Sequence, residues 1–81
     1  MKFIEIDVRA YSGHRVNERP LSFRFQRQDH EVAEIVDRWH EGRPEPGSPY
    51  LNYFKVRTAG GEEYLLRYNG LFDVWSIMVS D

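Results

Sequence analysis

Residues 53–68 carry the pattern that constrains this chain most. Tyr53-Phe54-Lys55-Val56-Arg57-Thr58 and Glu62-Glu63-Tyr64-Leu65-Leu66-Arg67-Tyr68 flank Ala59-Gly60-Gly61, two runs of β-forming residues around glycines that can take the left-handed turn position. Loop length decides which side chains share a face. A three-residue loop pairs Val56 with Tyr64 and Phe54 with Leu66 on one side, and Arg57 with Glu63 and Tyr53 with Arg67 on the other. A two-residue loop would set Phe54 against Arg67 and mix the faces, so the first register is predicted. Asn69-Gly70 opens a further turn, and any odd register sum returns Trp75, Ile77 and Val79 to the face of Tyr64, Leu66 and Tyr68. The last three strands are predicted to form a meander.

Upstream, Ile4, Ile6, Val8 and Ala10 alternate with Glu5, Asp7, Arg9 and Tyr11, and Leu21, Phe23 and Phe25 alternate with Ser22, Arg24 and Gln26. Both runs have the period of two that half-buries a strand. The stretch from His30 to Glu41 reads two ways. Val32, Ile35, Val36 and Trp39 stand at helical spacing behind a capping Asp29, which suits a helix over about 30–41. Three of those four are β-branched, however, and Gln26-Arg27-Gln28-Asp29 is short enough to be a hairpin loop; a strand with one bulge near Ala33-Glu34 would also place Val32, Ile35 and Trp39 on one face. Strand is the reading taken, with helix as the alternative. From Glu41 to Pro49, three prolines and two glycines in nine residues rule out a helix or a ladder. Pro46-Gly47-Ser48-Pro49 is read there as plain connector and not as a PxxP ligand.

At 81 residues there is room for one domain, 1–81, and its core must come from the 15% of aromatic residues, because with no cysteine there is no disulfide framework. The same lack removes Cys-ligated zinc and iron–sulfur chemistry and fits a reducing compartment. Apolar stretches such as Trp75 to Val79 are about five residues long, against roughly 20 for a membrane span, and Met1-Lys2-Phe3-Ile4-Glu5 has no secretory run. A cytoplasmic protein without a membrane partner is expected. Six bases face three acids over residues 1–28, two face six over 29–49, and three face four over 50–81, for a net charge of −2. This distribution argues against attachment to nucleic acid by bulk charge. Nine of the eleven bases are arginine, which suits specific pairing and stacking.

Catalytic patterns are missing from the sequence. His14, His30 and His40 fall in no ligand spacing and read as ordinary exposed histidines. Glu34, Asp37 and Glu41 would share a face only on a helix, and there they read as a solvated acidic face. Glu62 and Glu63, as strand neighbours, point to opposite faces and cannot act together on one bond. Ser12-Gly13-His14 reads as a turn, and no glycine-rich phosphate loop precedes a helix. No metal, no cofactor and no enzymatic activity are therefore expected.

One constellation remains. The outer face of the predicted central hairpin carries Tyr53, Lys55, Arg57, Leu65 and Arg67, with Arg24 as an extension across the sheet. Arginine and tyrosine on an open β surface suit a protein partner. The same face could stack and neutralise single-stranded nucleic acid, which is the alternative ligand. A further alternative is an assembly subunit that pairs through an unprotected edge strand at Met1 to Tyr11. Trp39 and Trp75 are assigned to the core.

Phe23-Arg24-Phe25, Val32-Ala33-Glu34-Ile35-Val36-Asp37-Arg38-Trp39, Tyr53-Phe54-Lys55-Val56-Arg57-Thr58, Tyr64-Leu65-Leu66-Arg67-Tyr68 and Asp73-Val74-Trp75 together form an order of hydrophobic and aromatic residues. It resembles that of small bacterial proteins of unassigned function, over about Leu21 to Val79. The resemblance implies a compact, β-rich, cytoplasmic domain, sometimes encoded beside DNA-repair polymerases, and brings no site residues with it. The predicted architecture is mainly β: a single antiparallel sheet or half-barrel of five to six strands around Ile6, Phe23, Phe25, Trp39, Phe54, Val56, Leu66 and Trp75. The α+β version with a helix at about 30–41 stands as its alternative.

Overall fold

The computed structural model describes residues 1–13, 19–42 and 50–80; His14 and the Pro46–Pro49 connector lie outside them. Alternation of apolar and polar residues produces six strands, β1 Lys2–Tyr11, β2 Arg19–Phe25, β3 Gln28–Glu41, β4 Leu51–Thr58, β5 Glu63–Asn69 and β6 Val74–Val79. Each is antiparallel to its neighbour in chain order, and β1 returns to pair with β6, so the sheet closes into a barrel. No helix occurs among the described residues, and none is long and apolar enough to cross a membrane. Residues 30–41 are strand, in line with the first of the two readings.

Closure depends on the two longest strands. β1 pairs with β6 along Lys2–Ile6 and with β2 along Asp7–Tyr11. β3 pairs with β2 along Gln28–Glu31 and with β4 from Val32 onward. Each therefore changes partner part-way, which turns a corner between two sheets. Bulges support these bends, at Arg9/Ala10 in β1 and at Val32/Glu34 and Ile35/Asp37 in β3.

The inward side chains fill the barrel. Phe23, Phe54, Val56, Leu66, Tyr68, Trp75 and Ile77 are buried, with Ile6, Val8, Phe25, Val32, Ile35 and Tyr64 packed against them. The central hairpin has the expected three-residue register, Val56 opposite Tyr64 and Phe54 opposite Leu66. Its loop is closed by Thr58 N–H donating to the Glu62 carbonyl at 2.8 Å and by Gly61 at φ 90°, a conformation that favours glycine.

Three expectations need correction. Trp39 is not a core residue. The predicted single bulge would have kept it inward, but the second shift, between Ile35 and Asp37, moves everything after it to the opposite face. Arg38 consequently pairs with Phe54 on the inner side, and Trp39 pairs with Tyr53 outside, 40% exposed. His30 is half-buried and not an exposed histidine, stacked on Phe23 at 5.1 Å between ring centroids. Ile4 points inward by its pairing with Ile77 but stays 38% exposed, because β2 ends before it can cover that end of β1.

Candidate interaction face

On β3, β4 and β5 three successive rows of outward residues lie ahead of a last one, Glu41, Leu51 and Asn69. Register aligns Glu34, Arg57 and Glu63 in the first, and Trp39, Tyr53 and Arg67 in the third; between them Asp37, Lys55 and Leu65 make the second. Three of the predicted β4 residues, Tyr53, Lys55 and Arg57, and Arg67 of β5 thus share one face. Arg24 does not join them. It lies on β2, which borders only β1 and β3, and its guanidinium donates to Asp29 Oδ1 at 3.2 Å and to the Arg27 carbonyl at 3.5 Å.

The first row is an ion-pair clamp. Arg57 Nη1 donates to Glu34 Oε2 at 3.0 Å and Nη2 to Glu63 Oε2 at 2.7 Å, while Lys55 Nζ stands 3.7 Å from Glu63 Oε1. The hydrogen bond from Arg57 is the main reason that the Glu63 carboxyl is held below the ordinary range. The same bond, followed by the charge of Glu34, raises the Arg57 guanidinium. These groups are solvent-exposed, so the clamp fixes side-chain positions more than it stabilises the fold. Across the three rows Lys55, Arg57 and Arg67 are matched by Glu34, Asp37 and Glu63, leaving no positive surplus for a phosphate backbone.

The third row is aromatic and cationic. Trp39 stacks on Tyr53 with ring centroids 5.4 Å apart and planes 7° from parallel, and Phe3 meets Tyr53 edge-on at 6.1 Å. The Arg67 guanidinium carbon lies 3.9 Å over the Phe3 ring, a cation–π contact. Arg67 Nε is buried without an acceptor. Tyr53 is buried beneath this stripe and is not the exposed anchor that alternation alone suggests. Trp39 and Phe3 are the members that sequence reasoning missed: Trp39 because its face depends on the number of bulges, Phe3 because it belongs to a strand distant in the chain. The alternation in β1, with Phe3 opposite in phase to Ile4 and Ile6, was the available signal for Phe3.

A second feature lies at the end of the barrel where β1 and β3 finish and β2 and β4 begin. A cleft of about 540 Å³ is lined there by Arg19, Arg38, His40, Asn52 and rings including Tyr11 and Tyr50, with no carboxylate among its described residues. Arg19 sits 4.7 Å over Tyr11, Arg38 5.0 Å over Phe54, and His40 stacks on Tyr50 at 5.9 Å. Such a wall suits a planar anion. Among the described residues no group of three or more His, Cys, Asp or Glu is placed to hold a metal ion. No family model, no curated protein and no solved structure matches the chain.

Proposed function

We propose that this protein is a small non-catalytic interaction module that docks a protein partner on the outer face of β3, β4 and β5. One observation carries the reading: Trp39 is 40% exposed yet held flat on Tyr53, beside Phe3 and Arg67, on the outside of a barrel whose core is already filled by other aromatics. Tryptophan, tyrosine and arginine dominate binding hot spots, and rigid side chains lose little entropy on docking. The balanced charge of the surrounding rows favours a mixed-charge protein surface over a polyanion.

The test is site-specific photo-crosslinking in native cells with a benzophenone residue at Leu65, in the middle row, and as a control at Arg9 on β1, which borders only β2 and β6. A discrete adduct at 65 and none at 9 is expected. Trp39→Ala should then weaken the purified pair by about thirtyfold, as loss of a hot spot of about 2 kcal/mol does. Arg57→Glu, which places three carboxylates together, should abolish capture with the fold intact by circular dichroism. Equal adducts at both positions, or capture indifferent to both substitutions, would defeat the proposal.

Single-stranded nucleic acid is a second reading with one observation behind it, the cationic and aromatic cleft of Arg19, Arg38 and His40. It predicts oligonucleotide binding that weakens from low to moderate salt and is lost in Arg19→Glu. Binding insensitive to salt, or none, removes it.

A further inference from the structure

We infer that the free edge of β1 is a second binding site, which takes an extended peptide segment as an added strand. The reading is independent of the β3–β5 face and rests on how the barrel closes. Pairing between β1 and β2 begins at Asp7 opposite Arg24, so continuing that register would place Ile6 against Phe25, the last residue of β2, and Glu5 against the turn residue Gln26. Lys2–Ile6 is hydrogen-bonded to β6 on one side and, among the described residues, has no strand on the other. Such an edge presents backbone N–H and C=O groups at strand spacing, which another extended backbone satisfies.

The space beside that edge is open and apolar-floored. A cleft of about 590 Å³ lies between the N-terminal half of β1 and the β2–β3 turn, with Ile4, Ile6 and Phe25 among its apolar lining and Lys2, Arg24 and Arg27 among its charged lining. Its volume falls within the range of about 300–1,000 Å³ typical of ligand sites. Ile4 is the exposed hydrophobic that a guest strand would cover.

Alternation fixes the chemistry of the guest. Ile4 and Ile6 are in inward phase and Glu5 is in outward phase. Glu5 faces only Ser76 on β6 and makes no ion pair among the described residues. The complementary segment therefore has two apolar residues, opposite Ile4 and Ile6, separated by one basic residue opposite Glu5. A second copy is a poorer fit. Antiparallel self-pairing centred on Ile4 would set Phe3 against Glu5 and Lys2 against Ile6, each twice by symmetry, so that four of the five positions are mismatched.

The probe is the capped peptide Thr-Val-Lys-Val-Thr, titrated into the ¹⁵N-labelled full chain and followed by amide shifts, with Thr-Val-Glu-Val-Thr as comparison. Saturable shifts confined to Lys2–Asp7 and Phe25–Arg27 are expected, with the lysine probe two- to fivefold tighter, a difference of about 0.4–1 kcal/mol and of the size of one exposed pair. Glu5→Lys should reverse that preference, and Ile4→Asp, at a partly exposed position, should abolish binding of both probes while the thermal melt stays cooperative. Shifts on the Trp39 face instead, no shifts with either probe at millimolar concentration, or no reversal in Glu5→Lys would each overturn the assignment. So would a dimer of the protein alone with the Phe3–Glu5 amides protected from exchange, which would make a second copy the occupant.

Discussion

The β2–β3 turn predicts a stability gain that can be worked from two backbone angles. Gln26 and Arg27 connect Phe25 to Gln28 in a two-residue hairpin with φ of 54° and 63°, the geometry that asparagine and glycine ordinarily occupy. A side-chain-bearing residue in the left-handed region costs about 1–2 kcal/mol, of which glycine returns about 0.5–1 kcal/mol through its larger unfolded entropy. Arg27→Gly should thus stabilise by about 0.5–1 kcal/mol, and Gln26→Asn should add a few tenths. The Asn-Gly variant is expected to melt about 4–8 °C higher for each 1 kcal/mol gained, with the urea m-value unchanged. Asp73, at φ 54° in the β5–β6 turn, supplies the control. Its Oδ1 accepts the Tyr68 hydroxyl at 2.7 Å, and losing a hydrogen bond to a charged group, worth about 1.5–3 kcal/mol, outweighs the relieved backbone. Asp73→Gly should therefore destabilise, though its φ matches that of Gln26. A lower melting temperature for the Asn-Gly variant, or the same sign at both turns, would show that backbone conformation is not what limits the β2–β3 hairpin.

Other consequences are as direct. Because the Glu63 carboxyl is lowered in the folded state, its contribution is present above the ordinary value of 4.5 and is lost as pH falls through the depressed one; urea midpoints between pH 5 and 2 should fall more steeply in the native chain than in Glu63→Gln, and parallel curves would contradict this. Acrylamide should quench the emission of Trp75→Phe, which retains exposed Trp39, far more than that of Trp39→Phe, which retains Trp75 at 5% exposure; equal quenching would mean that Trp39 is shielded. Phe54→Ala, at 1% exposure, should cost about 3–5 kcal/mol in chemical denaturation, and a loss under 1 kcal/mol would place Phe54 outside the core. Deleting Val36, the residue that the second bulge adds, should restore uninterrupted alternation after Ile35 with Asp37 and Trp39 still outward and Arg38 still inward, so the variant should keep a cooperative melt; failure to fold would argue that the bulge does more than set the phase.

What could be read from residue order alone divides along a physical line. Val56, Phe54 and Leu66 against Lys55, Arg57 and Arg67 were legible because their hairpin is local: a short loop and unbroken alternation leave one register that keeps both faces uniform. The corners were not legible, since they depend on where strands far apart in sequence run out. β2 stops at Phe25, so β1 has to find β6 for its first half, and β3 has to leave β2 after Glu31 and bend toward β4. The conversion of an open sheet into a closed barrel is therefore a non-local outcome of pairing lengths.

Trp39 shows how such a non-local cause determines a local property. One bulge in β3 places its indole in the core and two place it in the solvent-facing stripe, and the residues around Val36 look alike in either case. Both shifts fall inside the β3–β4 ladder, so the count shows only in the register against β4 and not in the residues of β3 by themselves. The same shift that sends Trp39 outward brings Arg38 over Phe54 at the mouth of the barrel. The exposed aromatic stripe and the cationic cleft are thus two results of one register shift, so any change that reverses the phase of β3 after Ile35 should remove both surfaces together.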